Sequence, residues 1–442
     1  MPNQHPIPQP ETPFTPELLL PAGDRERLHT ALLYGADAVY LGGKAGNLRA
    51  ATEGFDPEAL RDAVSAAACY GARIYYCLNA LPVEQDMPAM PASIERAAAA
   101  GVHAFIIADP GVLRLARRYA PHIPVHISTQ ANTTNAQAVA FWRDAGACRV
   151  NLAREMTCRN IHAVRKALPD MELEVFLHGA MCLAVSGQCL LSAWLNGRSA
   201  NMGRCTQPCR FAYRGMQADA PALAPCAPNV SLVVEEAWRE GEPLWNISRN
   251  EGYSEFWAPD DLCLLPYLPW FITNRITSLK VEGRTKSSSY VAFVADAYRC
   301  ALDAAATSAG KGRFDFRAFL PDLARTATRP LSTGFFLPHG RKRLDNEVEA
   351  QPRPLLARVT EPAREDGTAW HVEVRGTWDA SLPAEVMLPG MNRPVLAAGS
   401  YAFENHRGEA AKRVNNGTKA IVYATVEGMV PGVFIRGFGN GV

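Results

Sequence analysis

No apolar run in the 442-residue sequence approaches the roughly 20 residues that a membrane-spanning helix needs. The first residues, MPNQHPIPQPETPFTP, are polar and Pro-rich and lack the basic stretch and apolar core of an export signal. The expectation is a disordered tail over 1–16, no membrane partner and a cytoplasmic address. Neither sign of charge is in excess: 45 Lys and Arg stand against 44 Asp and Glu, a net charge of +1. A uniformly basic nucleic-acid-binding surface is therefore excluded, and any such surface is a local patch. Two hydrolase signatures are missing as well. Ser186, in AVSGQ, has a glycine on one side only and does not form a nucleophile elbow. No H-E-x-x-H zinc helix occurs. Internal repeats and low-complexity tracts are also absent.

Cysteine, by contrast, is plentiful. There are 11, and in a chain without an export signal they point to metal ligation or free thiols rather than disulfides. Four of them, Cys182, Cys189, Cys205 and Cys209, fall within 28 residues in HGAMCLAVSGQCLLSAWLNGRSANMGRCTQPCR. Thiolates are soft ligands suited to zinc or to iron–sulfur clusters. The gaps of six, fifteen and three residues are neither the ferredoxin run nor the paired knuckles of structural zinc. Uneven spacing on a loop fits a cluster seated at the mouth of a barrel. Structural zinc and unligated thiols stay open as alternatives, as does Cys263 in place of Cys209. Cys69, Cys77, Cys148, Cys158 and Cys300 sit in strand or helix patterns and read as small buried hydrophobes. Cys226 lies in a Pro/Ala-rich loop.

Eight short β-like runs alternate with helical stretches: 17–23, 37–43, 72–80, 104–109, 124–132, 149–154, 173–179 and 277–284. Such alternation implies βαβ units and a parallel sheet, and eight strands is the count of a TIM-like (β/α)8 barrel. The runs end in polar residues, among them Asn79, Asp109, Gln130, Asn132, His178, Glu282 and Arg284. Barrels carry their active sites at the C-terminal strand ends. In LKVEGRTKS, alternation puts Lys280, Glu282 and Arg284 on one face, with Lys286 just beyond. These cations suit carboxylates or phosphates, Arg through a bidentate fork; a purely structural Lys–Glu–Arg network is the alternative. The expected organisation is a barrel over 17–310 with a cysteine-rich insertion at about 180–275. A linker region over 311–351 and a small, barrel-like β domain over 352–442 follow.

These blocks resemble a known family. EVFLHGAMCLAVSGQCLLSAWLNGRSANMGRCTQPCRF, ELLLPAG, DAVYLGG, HISTQAN, LKVEGRTKSSSYVA and LSTGFF are similar to the signature blocks of the collagenase-like peptidase family U32 over residues 17–340. Despite the peptidase label, several members of that family are oxygen-independent hydroxylases of tRNA, ribosomal RNA or a quinone precursor that carry a [4Fe–4S] cluster. The resemblance is greatest to the branch that makes 5-hydroxyuridine at the tRNA wobble position and draws on prephenate. It implies cluster ligation by Cys182, Cys189, Cys205 and Cys209, with tRNA and a dicarboxylate donor as partners. His178 and Glu282 are then the catalytic candidates, His178 because a histidine titrates near neutral pH. Lys280, Arg284, Lys286, Gln130 and Asn132 are the substrate-binding candidates. One departure stands out: where the family shows N-S-K-D-L, this chain has Ala258, Pro259, Asp260, Asp261 and Leu262, so that a lysine position is acidic.

Overall fold

The computed structural model describes residues 14–43, 54–182, 184–210, 259–308, 314–327, 329–344 and 353–438, and within 211–258 the backbone of four short strands. Seven strands run in chain order: β1 (Glu17–Pro21), β2 (Ala38–Leu41), β3 (Arg73–Leu78), β4 (Ala104–Ile107), β5 (Val125–Ile127), β6 (Arg149–Asn151) and β7 (Glu172–Gly179). Each pairs in parallel with the next. The closing strand Ser278–Val281 pairs in parallel with both β1 and β7, which completes an eight-stranded barrel.

The helices between the strands start where short polar residues can take the place of a missing carbonyl. Asp56 accepts from the amides of Glu58 and Ala59 before Pro57–Cys69. Asp109, at the end of β4, accepts from the amide of Val112 at 2.9 Å and caps Pro110–Tyr119. Asp109 is thus a helix cap. Proline at the first helical position of both helices costs no hydrogen bond.

Leu18 and Leu20 face the helices, in the main core, whereas Leu19 faces the barrel interior. The interior is divided by character. On the β1–β4 side it is apolar, from Leu19, Ala38, Tyr75, Cys77, Ala104 and Ile106. On the side of β5, β6, β7 and the closing strand, His126, Arg149, Asn151, Glu174, Ser278 and Lys280 are buried and polar. At the N-terminal end of the barrel a network closes its base. Arg149 bridges Glu17 at 2.6 Å and Glu172 at 2.7 Å, Tyr75 donates to Glu17 at 2.6 Å, and Lys280 meets Glu174 at 2.8 Å.

The last part of the stretch expected to be insertion belongs to the barrel wall. Asp261–Cys263 pairs antiparallel with the end of β7 and parallel with Leu331–Ser332. The acidic departure at Asp260 is compensated there, because Arg343 lies 3.1 Å and Arg341 3.6 Å from its carboxylate.

Beyond the barrel, an eight-stranded antiparallel sheet built from Leu355–Pro362 to Phe434–Gly437 folds around its own core, with Trp378, Val386, Phe403 and Ile435 at its centre. It docks on the barrel helices. The Tyr34 hydroxyl donates to the Met387 carbonyl at 2.6 Å, and Phe293 packs on Phe434. Asp322, which is 3% exposed, bonds Arg436 at 2.8 Å. Among the described residues, no helix is long and apolar enough to cross a membrane.

Candidate active site

The C-terminal ends of the strands open into a cavity of about 380 Å³. All four cysteines of the motif line it, as do Lys280, Glu282, Arg284 and Lys286. The geometry of the cysteine loop explains how thiols up to 27 positions apart in sequence reach one place. The loop leaves β7 at Gly179, whose φ is +111° and where a Cβ would meet the Glu282 carbonyl oxygen at 2.8 Å. Only glycine passes so close to the closing strand. Arg154 then holds the Ala180 carbonyl at 3.0 Å.

Between Cys182 and Cys189 the chain makes a single turn, Val185–Gly187, with Ser186 in the left-handed region at φ 45°. That turn is clamped by Glu155, which accepts from the Ser186 amide at 2.7 Å and from its hydroxyl at 3.0 Å. The next residues are tied down by Gln188, whose amide donates to the Gln130 carbonyl at 2.9 Å. Gly187 packs against Gln130, and a Cβ there would lie 2.7 Å from Nε2. Further on, the Leu191–Asn196 helix is stitched to the third cysteine: the Thr206 amide donates to Ser192 Oγ at 3.0 Å, and Asn196 donates to Thr206 at 2.7 Å. The amide of Leu81, just after β3, donates to the Asn201 carbonyl at 3.1 Å.

None of the four cysteines is in a disulfide; Cys182 and Cys205 are exposed, and Cys189 and Cys209 half-buried. Among the described residues, no three His, Cys, Asp or Glu side chains are gathered as one metal ion would require. A cluster makes no such demand, because its thiolates bond different irons. Four thiols around one cavity at a barrel mouth, undistracted by disulfides, are a donor set that fits an iron–sulfur cluster. Cys263 is not among them. It is fully buried in the barrel wall, its Sγ lies 3.4 Å from the Tyr298 hydroxyl, and burial pushes its thiol up to about 11. Of the two residues left open as the fourth thiol, Cys209 lines the cavity and Cys263 does not.

The other sequence candidates divide. Lys280 lines the cavity, but its ammonium is engaged by Glu174 and lies 4.5 Å from the centre of the Tyr40 ring. The strand ends at Val281, yet Glu282 and Arg284 still face the cavity and are buried. Gln130 lines it as well, on a turn after β5 that begins at Ser128, earlier than the expected strand end at 132.

Asn132 does not line the cavity; it sits at φ 52° and ends that turn. His178 does not either. The pairing of β7 with the closing strand shifts register between Lys280 and Val281, so that His178 comes opposite Val281. A shift of one residue moves a side chain to the other face of the sheet. Its ring lies among Tyr290 and Tyr298, with Nδ1 3.2 Å from the Tyr298 hydroxyl. Burial, reinforced by the nearby Lys286 charge, lowers its pKa to about 3. The expected near-neutral titration is thus corrected, and His178 is a neutral imidazole in the barrel wall. Two expectations for the outlying cysteines also fail, because Cys69 and Cys148 are exposed. Cys158 and Cys300 are half-buried, and Cys77 is buried as expected and also lines the cavity. Cys226 lies outside the described residues.

Sequence reasoning missed Asn151, Arg154 and Glu155. Asn151 is the last residue of β6 and lines the cavity. Arg154 lies over the Phe176 ring at 3.7 Å, and both side chains line the cavity. The signal was present, since RVNLARE ends a strand in polar residues just as HISTQAN does.

A TIM-like barrel that carries a four-cysteine loop over a cationic mouth defines the class, and residues 23–346 match peptidase family U32. The chain belongs to that family. Among its relatives is tRNA hydroxylation protein P of Escherichia coli strain K12, 36% identical over 346 residues, which are 74% of this chain and 75% of that one. Another relative in the same organism is named 23S rRNA 5-hydroxycytidine C2501 synthase; it is 32% identical over 326 residues, 74% of this chain and 43% of that one. A protein named collagenase from Porphyromonas gingivalis strain W83 is 28% identical over 299 residues, 65% of this chain and 66% of that one.

Proposed function

We propose that this protein is a cytoplasmic RNA hydroxylase that converts a tRNA wobble uridine to 5-hydroxyuridine, with prephenate as hydroxyl donor. The observation that carries the reading is the meeting of the four cysteines and the cationic closing strand in one cavity. The printed names of the tRNA and rRNA relatives support the substrate class. In balance the reaction is an oxygen-atom transfer. The C5–H bond of uracil becomes C5–OH, a two-electron oxidation of the base, and the donor is reduced by two electrons as it gives up one oxygen.

Cys182, Cys189, Cys205 and Cys209 would hold a [4Fe–4S] cluster, which supplies a Lewis-acidic, redox-active centre when bound. The chain's own residues do the rest. Arg284 and Lys286 receive the donor's carboxylates, Arg284 through its planar fork. Glu282, buried and two residues before Arg284, holds or moves a proton at its carboxylate. The cysteine loop, clamped by Glu155, roofs the cavity and limits water. RNA loops allow a base to be splayed into such a pocket. The test is nucleoside analysis of tRNA from a strain that lacks the gene. Hydroxyuridine should vanish and return on complementation. Unchanged tRNA together with the loss of hydroxycytidine from ribosomal RNA would move the substrate to the alternative, and no change in either RNA would refute the reading.

A further inference from the structure

The cavity holds a second set of polar groups that the cationic strand does not explain. Asn151 is 2% exposed and lines the cavity, yet neither its amide oxygen nor its amide nitrogen has a hydrogen-bond partner among the described residues. Gln130, 8% exposed and also lining the cavity, leaves its Oε1 without one. Native proteins rarely keep a buried amide unpaired unless something else pairs with it. An apolar residue at position 151 would have avoided that cost, as Ile106 does in the barrel interior on β4.

We propose that Asn151, with Gln130 beside it, reads the hydrogen-bonding edge of the pyrimidine to be modified; the assignment rests on the RNA hydroxylase reading above. A primary amide places one acceptor next to donors and carries no charge. The N3–H and O4 of uracil present the complementary pair side by side, as does the N3 and N4 edge of cytosine once the amide is turned. Asn151 is therefore a reader of pyrimidine edges and does not by itself choose between the two bases. Charge-assisted hydrogen bonds to a carboxylate are roughly twice as strong as neutral ones, and Arg284 and Lys286 line the same cavity, so the donor's carboxylates fall to them. The two jobs thus fall on different strands. Charge is recognised on the closing strand and the base on β5 and β6, with Phe176 of β7 and the Arg154 stacked on it between them. A flipped or splayed base is commonly recognised through its Watson–Crick edge in this way.

The test uses the full-length, iron-loaded protein, an anticodon stem-loop RNA and prephenate. Asn151→Leu keeps the branched shape and removes the hydrogen bonds. It should raise KM for the RNA roughly ten- to a hundredfold, the scale of a lost bidentate base contact. Its KM for prephenate should stay within about twofold, and its iron content should match wild type. Arg284→Ala should do the reverse. If Asn151→Leu loses iron, the smaller Asn151→Ser takes its place, with the same split expected. An unchanged RNA KM, or a change in prephenate KM alone, overturns the assignment while leaving the hydroxylase reading intact. A wild-type protein inert on every RNA removes both.

Discussion

Lys280 was legible in the sequence both as a substrate ligand and as a member of a structural network, and one substitution separates the two. Its ammonium lies 2.8 Å from Glu174, and the two side chains are 6% and 2% exposed. Removing one member of such a pair strands a buried charge at a cost of about 3–5 kcal/mol. In Lys280→Met, Glu174 keeps Arg149 at 3.6 Å, which places the expected loss at the lower end, about 3 kcal/mol. For a unit of this size that corresponds to a fall in Tm of roughly 3–5 °C. Adding Glu174→Gln should restore much of it, because no charge is then left unpaired, so that the double-mutant cycle shows a coupling of about 2 kcal/mol. Thermal unfolding of the four proteins at equal iron content is the assay, alongside the dependence of rate on prephenate. A Lys280→Met protein that melts like wild type but needs tenfold more prephenate would refute the reasoning and return Lys280 to the substrate.

Two further outcomes are expected. Anaerobically prepared protein should be brown with about four irons per chain; Cys205→Ser and Cys209→Ser should lose most of that iron and Cys263→Ser should keep it, whereas a colourless protein with stoichiometric zinc would reject the cluster. At the domain interface, burial acts to raise the pKa of Asp322, but Arg436, with Arg393 and Arg325, outweighs it and holds the carboxyl below its ordinary value. Its stabilisation is therefore complete above the unfolded value of about 4 and fades as pH falls through the lower folded value. Asp322→Asn should melt lower at pH 7, by about 3 kcal/mol or more, and lose less stability than wild type on acidification below about pH 4; equal acid sensitivity in the two proteins would remove Asp322 from the account.

The barrel was readable because its signal is periodic and local. Eight hydrophobic runs with capped helices between them have few other ways to bury themselves, and all eight became strands. The cysteine loop was readable from composition, since thiols at uneven spacing have few structural uses. What failed were inferences of direction. Counting by twos along β7 puts His178 on the face of Glu174 and Phe176, but the register shift beside Val281 turns it into the wall. No residue type in ELEVFLHG announces that shift. The amides of Gln130 and Asn151 differ from His178 in the same respect. All three are polar residues near strand ends, and only the three-dimensional path of the turn after β5 or the end of β6 decides which meet the cavity. Glu155 was invisible for another reason, because its partner is a backbone amide 31 residues away.

The same directional facts bear on the family's peptidase label. A serine hydrolase needs a nucleophile in contact with a base that is free to take its proton. Ser186 is the serine that the sequence reading tested for that part, and its Oγ hydrogen-bonds Glu155, which also holds its backbone amide. A carboxylate engaged twice by one residue in a left-handed turn is a clamp on the chain, and the turn it fixes lies between Cys182 and Cys189. His178, the histidine nearest in sequence, faces Tyr298 in the wall with its pKa lowered to about 3 by burial first and Lys286 second. The residues that would make a protease are thus spent on shaping the cysteine loop and the barrel wall. The groups that face the cavity include thiols, cations, neutral amides and the Glu282 carboxylate, and this mixture suits a small anionic donor and a nucleobase better than a peptide bond.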